Sequence, residues 1–416
     1  MISSTWSRVK LGSLCNIRRG SSPRPIVQYL AGIGMPWVKI ADATKSNTRY
    51  IFETKEFLKF EGVQSSVLVE PGDLILSNSG TAGLPKFMQI KACIHDGWQV
   101  LRDFRNIDKV FLYYELLFLR EKLLHGAYDS SMKNLTLEMV REIMIDLPPL
   151  KVQIEISALL SLLDEKIELN QSINKNLEDM AQTLYSRWFV DFEFPNENAN
   201  PYKSSSGEMV ESELGLIPKG WKIQPLGNND LAKLISSGID EFSNEKTYIA
   251  TADVENTLIN SYSTKVNFTN RPSRANMQPQ VNSIWFAKLK NSRKLIRVSE
   301  IDEYLTKETI FSTGFAGLSC RNGFSYLWVY LSSRDFDDHK NNFSNGTTME
   351  GINNENINRI LILIPPVRLL NQFESVAKSF FDKISLNQKE NLRLAKIRDE
   401  LLPKLMSGEI QLPVKD

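Results

Sequence analysis

The chain is poor in the residues from which catalytic and metal centres are usually built. Its 416 residues include only three cysteines and three histidines. Cys15, Cys93 and Cys320 lie far apart with no CxxC pair, and His95, His125 and His339 are equally scattered. Neither a disulfide framework nor a metal site is expected, and the thiols read as free in a reducing compartment. No run of about 18 apolar residues occurs, and the opening MISSTWSRVK has no signal-peptide core. The expectation is a cytoplasmic protein without a membrane partner. Nucleotide signatures are missing as well. Gly32-Ile-Gly34 has no third glycine, and Gly80-Thr-Ala-Gly83 is not followed by Gly-Lys-Ser/Thr. Asn200-Pro201-Tyr202 lacks the second proline of the amino-methyltransferase motif. No Ser/His/Asp or Cys/His arrangement stands out. The chain is therefore expected to hold no catalytic centre, metal or cofactor of its own.

A net charge of +1 gives no global pull towards a polyanion, so any such partner must be recognised locally. Residues 1–41 contain no acid, yet they carry Arg8, Lys10, Arg18, Arg19, Arg24 and Lys39. Arg18-Arg19-Gly20-Ser21-Ser22 reads as a flexible loop that could set guanidiniums against phosphates. A second stretch holds Lys288, Lys290, Arg293, Lys294 and Arg297 around Asn291 and Ser292, without an acid, and Arg271 and Arg274 precede it. A third candidate is Ser77-Asn-Ser-Gly-Thr-Ala-Gly83, where glycines permit close backbone approach and Asn78, Ser79 and Thr81 offer donors. Such side chains neutralise a duplex backbone and read base edges. The competing reading of each basic cluster is a solvated charged loop, and of the third a polar hairpin turn. Trp37, Trp98, Trp285, Phe286 and Trp328 sit among apolar neighbours and read as core.

What the sequence has in abundance is heptad order, and it has it twice. Ile156, Leu163, Asn170, Leu177 and Leu184 form one row, and Leu160, Ile167, Asn174, Ala181 and Trp188 the other. These are the two rows of a coiled-coil seam. From Ile156 to Phe373 is 217 positions, and there the rows return as Phe373, Phe380, Asn387, Leu394, Leu401 and Ala377, Ile384, Asn391, Arg398, Leu405. Both copies follow a Pro-Pro pair, and the two polar breaks are repeated with the rest. A buried Asn destabilises a seam but penalises wrong registers, so the two Asn pairs are expected to meet. Charge supports that pairing: residues 151–190 hold four Lys/Arg against six Asp/Glu, and 367–406 hold eight against five. Two independent amphipathic helices would leave the doubled Asn unexplained.

The remainder falls into two globules with similar edges. Trp6-Ser-Arg-Val-Lys-Leu-Gly12 is echoed by Trp221-Lys-Ile-Gln-Pro-Leu-Gly227, and Ser131–Leu135 by Thr348–Ile352. Strands are predicted at Pro36–Ile40, Gly72–Ser77 and Ile360–Ile364, and a helix at Lys109–His125. The domain reading is a first globule at 1–150, a helix at 151–190 and a surface linker at 191–220. A second globule follows at 221–366, then a helix at 367–406 and a tail at 407–416. The fold class is mixed α+β, with two α/β globules separated by two long helices, each about 50 Å. The helices are expected to pair as an antiparallel coiled coil in an internal pseudo-two-fold duplication. Between their edges the globules barely resemble each other in sequence.

Two divergent globules, each followed by a helix introduced by Leu-Pro-Pro-Leu or Ile-Pro-Pro-Val, resemble the specificity subunit of type I restriction–modification enzymes. The likeness runs through Ile167-Glu-Leu-Asn-Gln171 and its echo Ile384-Ser-Leu-Asn-Gln388. It continues in Leu184-Tyr-Ser-Arg-Trp-Phe-Val-Asp-Phe192, Pro201-Tyr-Lys-Ser-Ser and Glu213-Leu-Gly-Leu-Ile-Pro-Lys-Gly-Trp221. It implies two target recognition domains, each binding one half of a split double-stranded DNA site. It further implies paired helices that dock two methyltransferase subunits, with restriction subunits joining the larger complex. S-adenosylmethionine, ATP and Mg2+ would belong to those partners. Two other readings compete with this one: a stand-alone bivalent DNA-binding architectural or regulatory protein, and a DNA-modifying enzyme acting alone. The missing motifs disfavour the second.

Overall fold

The computed structural model describes residues 6–45, 48–128, 134–346 and 350–413. Contacts divide the chain into two compact units, residues 1–170 with 389–416, and residues 171–388. Both boundaries fall inside the long helices, Leu150–Tyr185 and Val367–Met406. Each unit thus holds one globular domain and half of each helix.

The helices begin alike because each follows a proline pair. The Pro149 carbonyl accepts from the amides of Val152 and Gln153, and the Pro366 carbonyl from those of Leu369 and Leu370. Proline at a helix start loses nothing, since the first amides have no partner within the helix. In the first unit, Asp164 meets Arg398 at 2.6 Å and Asn170 Nδ2 donates to Asn391 Oδ1 at 2.9 Å. In the second unit, Asn387 Nδ2 donates to Asn174 Oδ1 at 2.8 Å, and the rings of Trp188 and Phe373 lie 6.0 Å apart. Within either unit, partners on the second helix descend as the first helix ascends, which is antiparallel order. The first helix ends in a five-residue π-helical turn, Ser186–Val190.

Each domain is closed by its first and last strands. Ser7–Lys10 pairs antiparallel with Met144–Leu147, and Lys222–Pro225 with Leu361–Ile364. The echoed stretches Trp6–Gly12 and Trp221–Gly227 supply the first strand of each closing pair. Residues 131–133 and 347–349 of the other echo lie outside the described residues; its apolar ends, Leu135 and Ile352, are buried.

Between the edges the frameworks agree more closely than the sequences do. In the first unit one sheet runs Asn16–Arg19, Trp98–Arg102, Leu74–Ser77, Pro85–Met88, Tyr50–Ile51. Its counterpart runs Ala232–Leu234, Phe315–Cys320, Ser283–Ala287, Leu295–Val298. The other sheets have a parallel central pair, Met35–Val38 with Ala92–Ile94 and Lys246–Ile249 with Thr309–Ser312, flanked by antiparallel strands. The first unit adds one edge strand to each sheet. Strand pairing is made by backbone, and a core accepts many apolar combinations of similar volume. The interiors could therefore diverge in side chains without losing the frame. Trp37, Trp98, Trp285, Phe286 and Trp328 are all buried.

The expectation of a surface linker at 191–220 is corrected. Phe192 and Phe194 pack on Trp221 with ring centroids 5.5 and 5.4 Å away, and Tyr202 stacks on Phe194 at 4.5 Å. Met209–Ser212 and Gly215–Pro218 form a hairpin. The aromatic residues among the Asn and Ser join this segment to the core of the second unit.

Candidate nucleic-acid interface

Two loops that look unrelated in sequence occupy one place in the shared frame. Each joins the same pair of antiparallel strands, Leu74–Ser77 to Pro85–Met88 and Ser283–Ala287 to Leu295–Val298. Each is closed by one backbone bond, from Ser77 N to Leu84 O (3.0 Å) and from Ala287 N to Lys294 O (2.9 Å). At the loop entry, Asn78 N donates to Gly97 O at 2.8 Å, and Lys288 N to Gly314 O at 2.9 Å. The carbonyls of Asn78 and Lys288 accept from Leu135 N and Ile352 N, both at 2.9 Å. The neutral glycine-rich loop and the basic loop are the same element of two domains.

In the first unit the candidates converge on the turn His95-Asp96-Gly97. Arg19 Nε and Asn78 Nδ2 both donate to the Asp96 carbonyl at 2.9 Å. Ser22 Oγ donates to its carboxylate at 2.7 Å, and Arg24 pairs with it at 3.3 Å. The Ser22 bond leads the effects that hold the Asp96 carboxyl below its usual range. Lys39 pairs with Glu56 and lies 5.3 Å from the Trp37 ring. Arg24, Trp37, Lys39, His95 and Asp96 line an open cavity of about 390 Å³. His95 meets the Trp37 ring edge-on at 5.9 Å, and its Nδ1 accepts from Gly97 N at 2.7 Å. Burial lowers the His95 pKa against the opposing pull of Asp96, so the imidazole is neutral at pH 7. Any larger residue at 97 would displace the imidazole, since a Cβ there would lie 2.2 Å from His95 Cε1.

This arrangement corrects the reading of residues 18–22 as a flexible loop. Arg18 and Arg19 stand on the strand Asn16–Arg19. A Cβ at Gly20 would lie 2.1 Å from the His95 carbonyl, so the segment is pinned against the turn. Strand alternation sends Arg18 to the face opposite Arg19 and away from the cluster. Asn78 is buried and braces the turn, whereas Ser79 and Thr81 are half-buried on the loop itself.

In the second unit the basic stretch is largely tied to the protein. Lys290 pairs with Glu350, and Arg293 pairs with Asp337 while donating to the Ser332 carbonyl at 2.9 Å. Lys294 donates to the Thr251 carbonyl at 2.7 Å. Asn291, in left-handed backbone with φ 57°, is bracketed by Asn341 through one bond in each direction. Arg271 lies over the Phe268 ring at 4.2 Å and donates to the Ala275 carbonyl. Arg274 is exposed. Arg297 departs from expectation: its side chain is 6% exposed and packs inward between Phe324 and Phe381. It belongs to the joint between sheet and helix, not to the surface. Lys288 is half-buried, burial lowers its pKa, and among the described residues its ammonium has no partner. Among the described residues, the guanidiniums of Arg18 in the first unit and Arg274 in the second likewise have no partner.

Among the described residues, no group of three or more His, Cys, Asp or Glu could hold a metal ion, and no helix is long and apolar enough to cross a membrane.

Comparison with known proteins places this frame. Residues 3–179 match the model of the type I restriction modification DNA specificity domain. The type I restriction enzyme MjaIX specificity subunit of Methanocaldococcus jannaschii is 26% identical over 418 residues, spanning 98% of this chain and 94% of that one. The first domain and its helix thus match the type I restriction–modification DNA specificity domain, and the full chain is similar to specificity subunits. The HindI specificity subunit of Haemophilus influenzae is a further relative, 24% identical over 70% of this chain and 74% of its own. In fold, the chain is similar to the crystal structure of a type I restriction–modification system S subunit from M. genitalium. That likeness has a TM-score of 0.55 and 15% identity, over 97% of this chain and 96% of that one. Local sequence pattern did not reveal the turn at His95-Asp96-Gly97 on which the first cluster is assembled. The available signal was the Asp-Gly pair, a turn marker directly before the strand Trp98–Arg102.

Proposed function

We propose that this chain is the non-catalytic DNA-reading subunit of a cytoplasmic type I restriction–modification complex. Each globular domain reads one half of a split double-stranded site. The observation that carries this is the duplicated loop frame: same sheet, same anchors at Gly97 and Gly314, and opposite loop chemistry. A protein that reads two unrelated short sequences at a fixed separation needs that combination of constant scaffold and variable loop. In the first domain the contacting groups are Arg19, Arg24, Lys39, Ser79 and Thr81, with Asn78 positioning the turn. In the second they are Arg274, Lys288, Asn291 and the outward edges of Lys290, Arg293 and Lys294, with Arg271 supporting the neighbouring loop. Lys288 is assigned to a phosphate, because its half-buried charge lacks a counter-ion among the described residues.

The long helices carry exposed apolar side chains at repeat-related positions, Leu150 with Val367 and Leu169 with Leu386. Doubled patches suit two identical partners. We assign them to two methyltransferase subunits, with restriction subunits joining the full complex. S-adenosylmethionine, ATP and Mg2+ are then bound by those partners. This favours the complex over a stand-alone architectural protein.

The test is co-purification with a methyltransferase subunit, followed by methylation and binding assays. The chain alone should turn over no S-adenosylmethionine, and the complex should methylate one split motif. Lys288→Ala should weaken binding to every sequence alike and lower the log–log salt slope by about one. Methyl transfer by the isolated chain, or failure to bind any methyltransferase subunit, would overturn the proposal.

A further inference from the structure

Each domain sends one buried arginine from its loop-bearing sheet into a long helix. In the first unit this is Arg49, 5% exposed, just ahead of the edge strand Tyr50–Ile51. Its guanidinium forks onto Glu168 at 3.2 and 3.1 Å and donates to Ser161 Oγ at 3.1 Å. Glu165 lies 3.8 Å away. Burial opposes this charge, but the Glu168 bond and neighbouring acids outweigh it, so the net pKa shift is upward. In the second unit, Arg297 lies 3.6 Å from Asp382, with the rings of Phe324 and Phe381 at 4.5 and 5.4 Å.

The two arginines reach the same place from different strands. Glu165 and Asp382 are repeat counterparts on the two helices, 217 positions apart. Arg49 and Arg297 are not counterparts. The matched registers Leu74↔Phe87 and Ile284↔Arg297 make Phe87 the equivalent of Arg297. Arg49 sits beside Phe87, whose amide donates to the Arg49 carbonyl at 2.8 Å. The junction has thus been filled with a guanidinium from neighbouring strands in the two domains. Apolar contact alone lets a sheet slide on a helix, whereas the Arg49–Glu168 fork fixes direction as well as distance. Arg297 makes a single charged contact with Asp382 and is held between the rings of Phe324 and Phe381.

We propose that Arg49 and Arg297 are positioning residues that fix how each loop-bearing sheet stands on its helix, and so the number of base pairs accepted between the half-sites. This rests on the reading of a split DNA site given above.

The test uses the full chain in complex with its methyltransferase subunits. Its mapped motif is presented at native spacing and with one base pair added or removed between the halves. The wild-type complex should discriminate strongly among these duplexes. Arg49→Met and Arg297→Met should each lower that discrimination about tenfold while base preference within each half-site is kept, because displacement by roughly an ångström suffices. Arg49→Lys should restore thermal stability but not spacing discrimination, since an ammonium cannot fork onto a carboxylate. Folded variants with wild-type spacing discrimination would overturn the proposal. A wild-type complex with no split motif at all would overturn the functional reading beneath it. If Arg49→Met does not fold, Arg297→Met decides the matter, because Asp382 keeps Lys378 at 2.6 Å.

Discussion

The two units attach the same domain frame to the same kind of helix with different chemistry. In the first unit the joint is ionic: Arg49, Glu168, Tyr114, Asp164 and Arg398 form one chain of bonds from the sheet through the first helix to the second. Tyr114 donates to Asp164 at 2.6 Å, and Arg398 reaches the other oxygen of the same carboxylate at 2.6 Å. In the second unit the Arg297–Asp382 contact is joined by a large cluster of rings. Tyr185, Trp188, Phe189, Trp221, Tyr326 and Phe373 surround one another at centroid distances from 4.7 to 6.4 Å. Ionic joints are directional and sensitive to loss of one partner, whereas aromatic joints depend on buried area. The same domain position on a helix can thus be held by unlike side-chain chemistry.

Three substitutions sharpen that contrast. The largest effect is expected from Phe373→Ala, which empties a fully buried site in the aromatic joint. It should destabilise the second unit by about 3–5 kcal/mol in denaturant titrations, with little dependence on salt. Next comes Arg398→Met, which leaves Asp164 buried with only Tyr114 as its partner. It should cost the first unit about 3 kcal/mol, and added salt should change that figure, unlike the Phe373 value. Equal salt dependence of the two variants would remove the distinction between the joints. The smallest effect is expected at Glu115, where burial, aided by Asp146, pushes the carboxyl up to about 8. Its Oε2 has no partner among the described residues. The folded state holds this proton longer than the unfolded chain does, so stability falls as pH rises from the ordinary glutamate range towards 8. Glu115→Gln should remove that decline, raising stability at pH 6 by about 2 kcal/mol and leaving pH 4 nearly unchanged. A melting curve with the same pH dependence as wild type would contradict the assignment.

The parts of the molecule legible in the sequence were those set by local rules. The heptad rows, the Asn layers and the proline pairs are periodic or adjacent along the chain, so the helices and their antiparallel order could be read directly. The closing strands announced themselves through the repeat. The loop equivalence did not. Ser77 matches Ala287 at an offset of 210, while Leu135 matches Ile352 at 217, so the unequal lengths before and after the loop hide the correspondence from a fixed-offset comparison. The basic stretch misled for a related reason. Its acids are distant in sequence, Glu350 lying 60 positions from Lys290, and local composition cannot show an ion pair made by tertiary folding. Arg297 was read with its neighbours, yet strand alternation turned it towards the helix.

The central claim is that each domain reads its own half-site through its own loop. Residues 78–83 and 288–293 are equal in length and anchored alike, so one can replace the other. The decisive measurement is the methylated motif of the full complex after residues 288–293 are replaced by the sequence of 78–83. The account predicts that one half of the motif changes while the other half keeps its wild-type sequence. An unaltered motif, or a change in both halves, would contradict it.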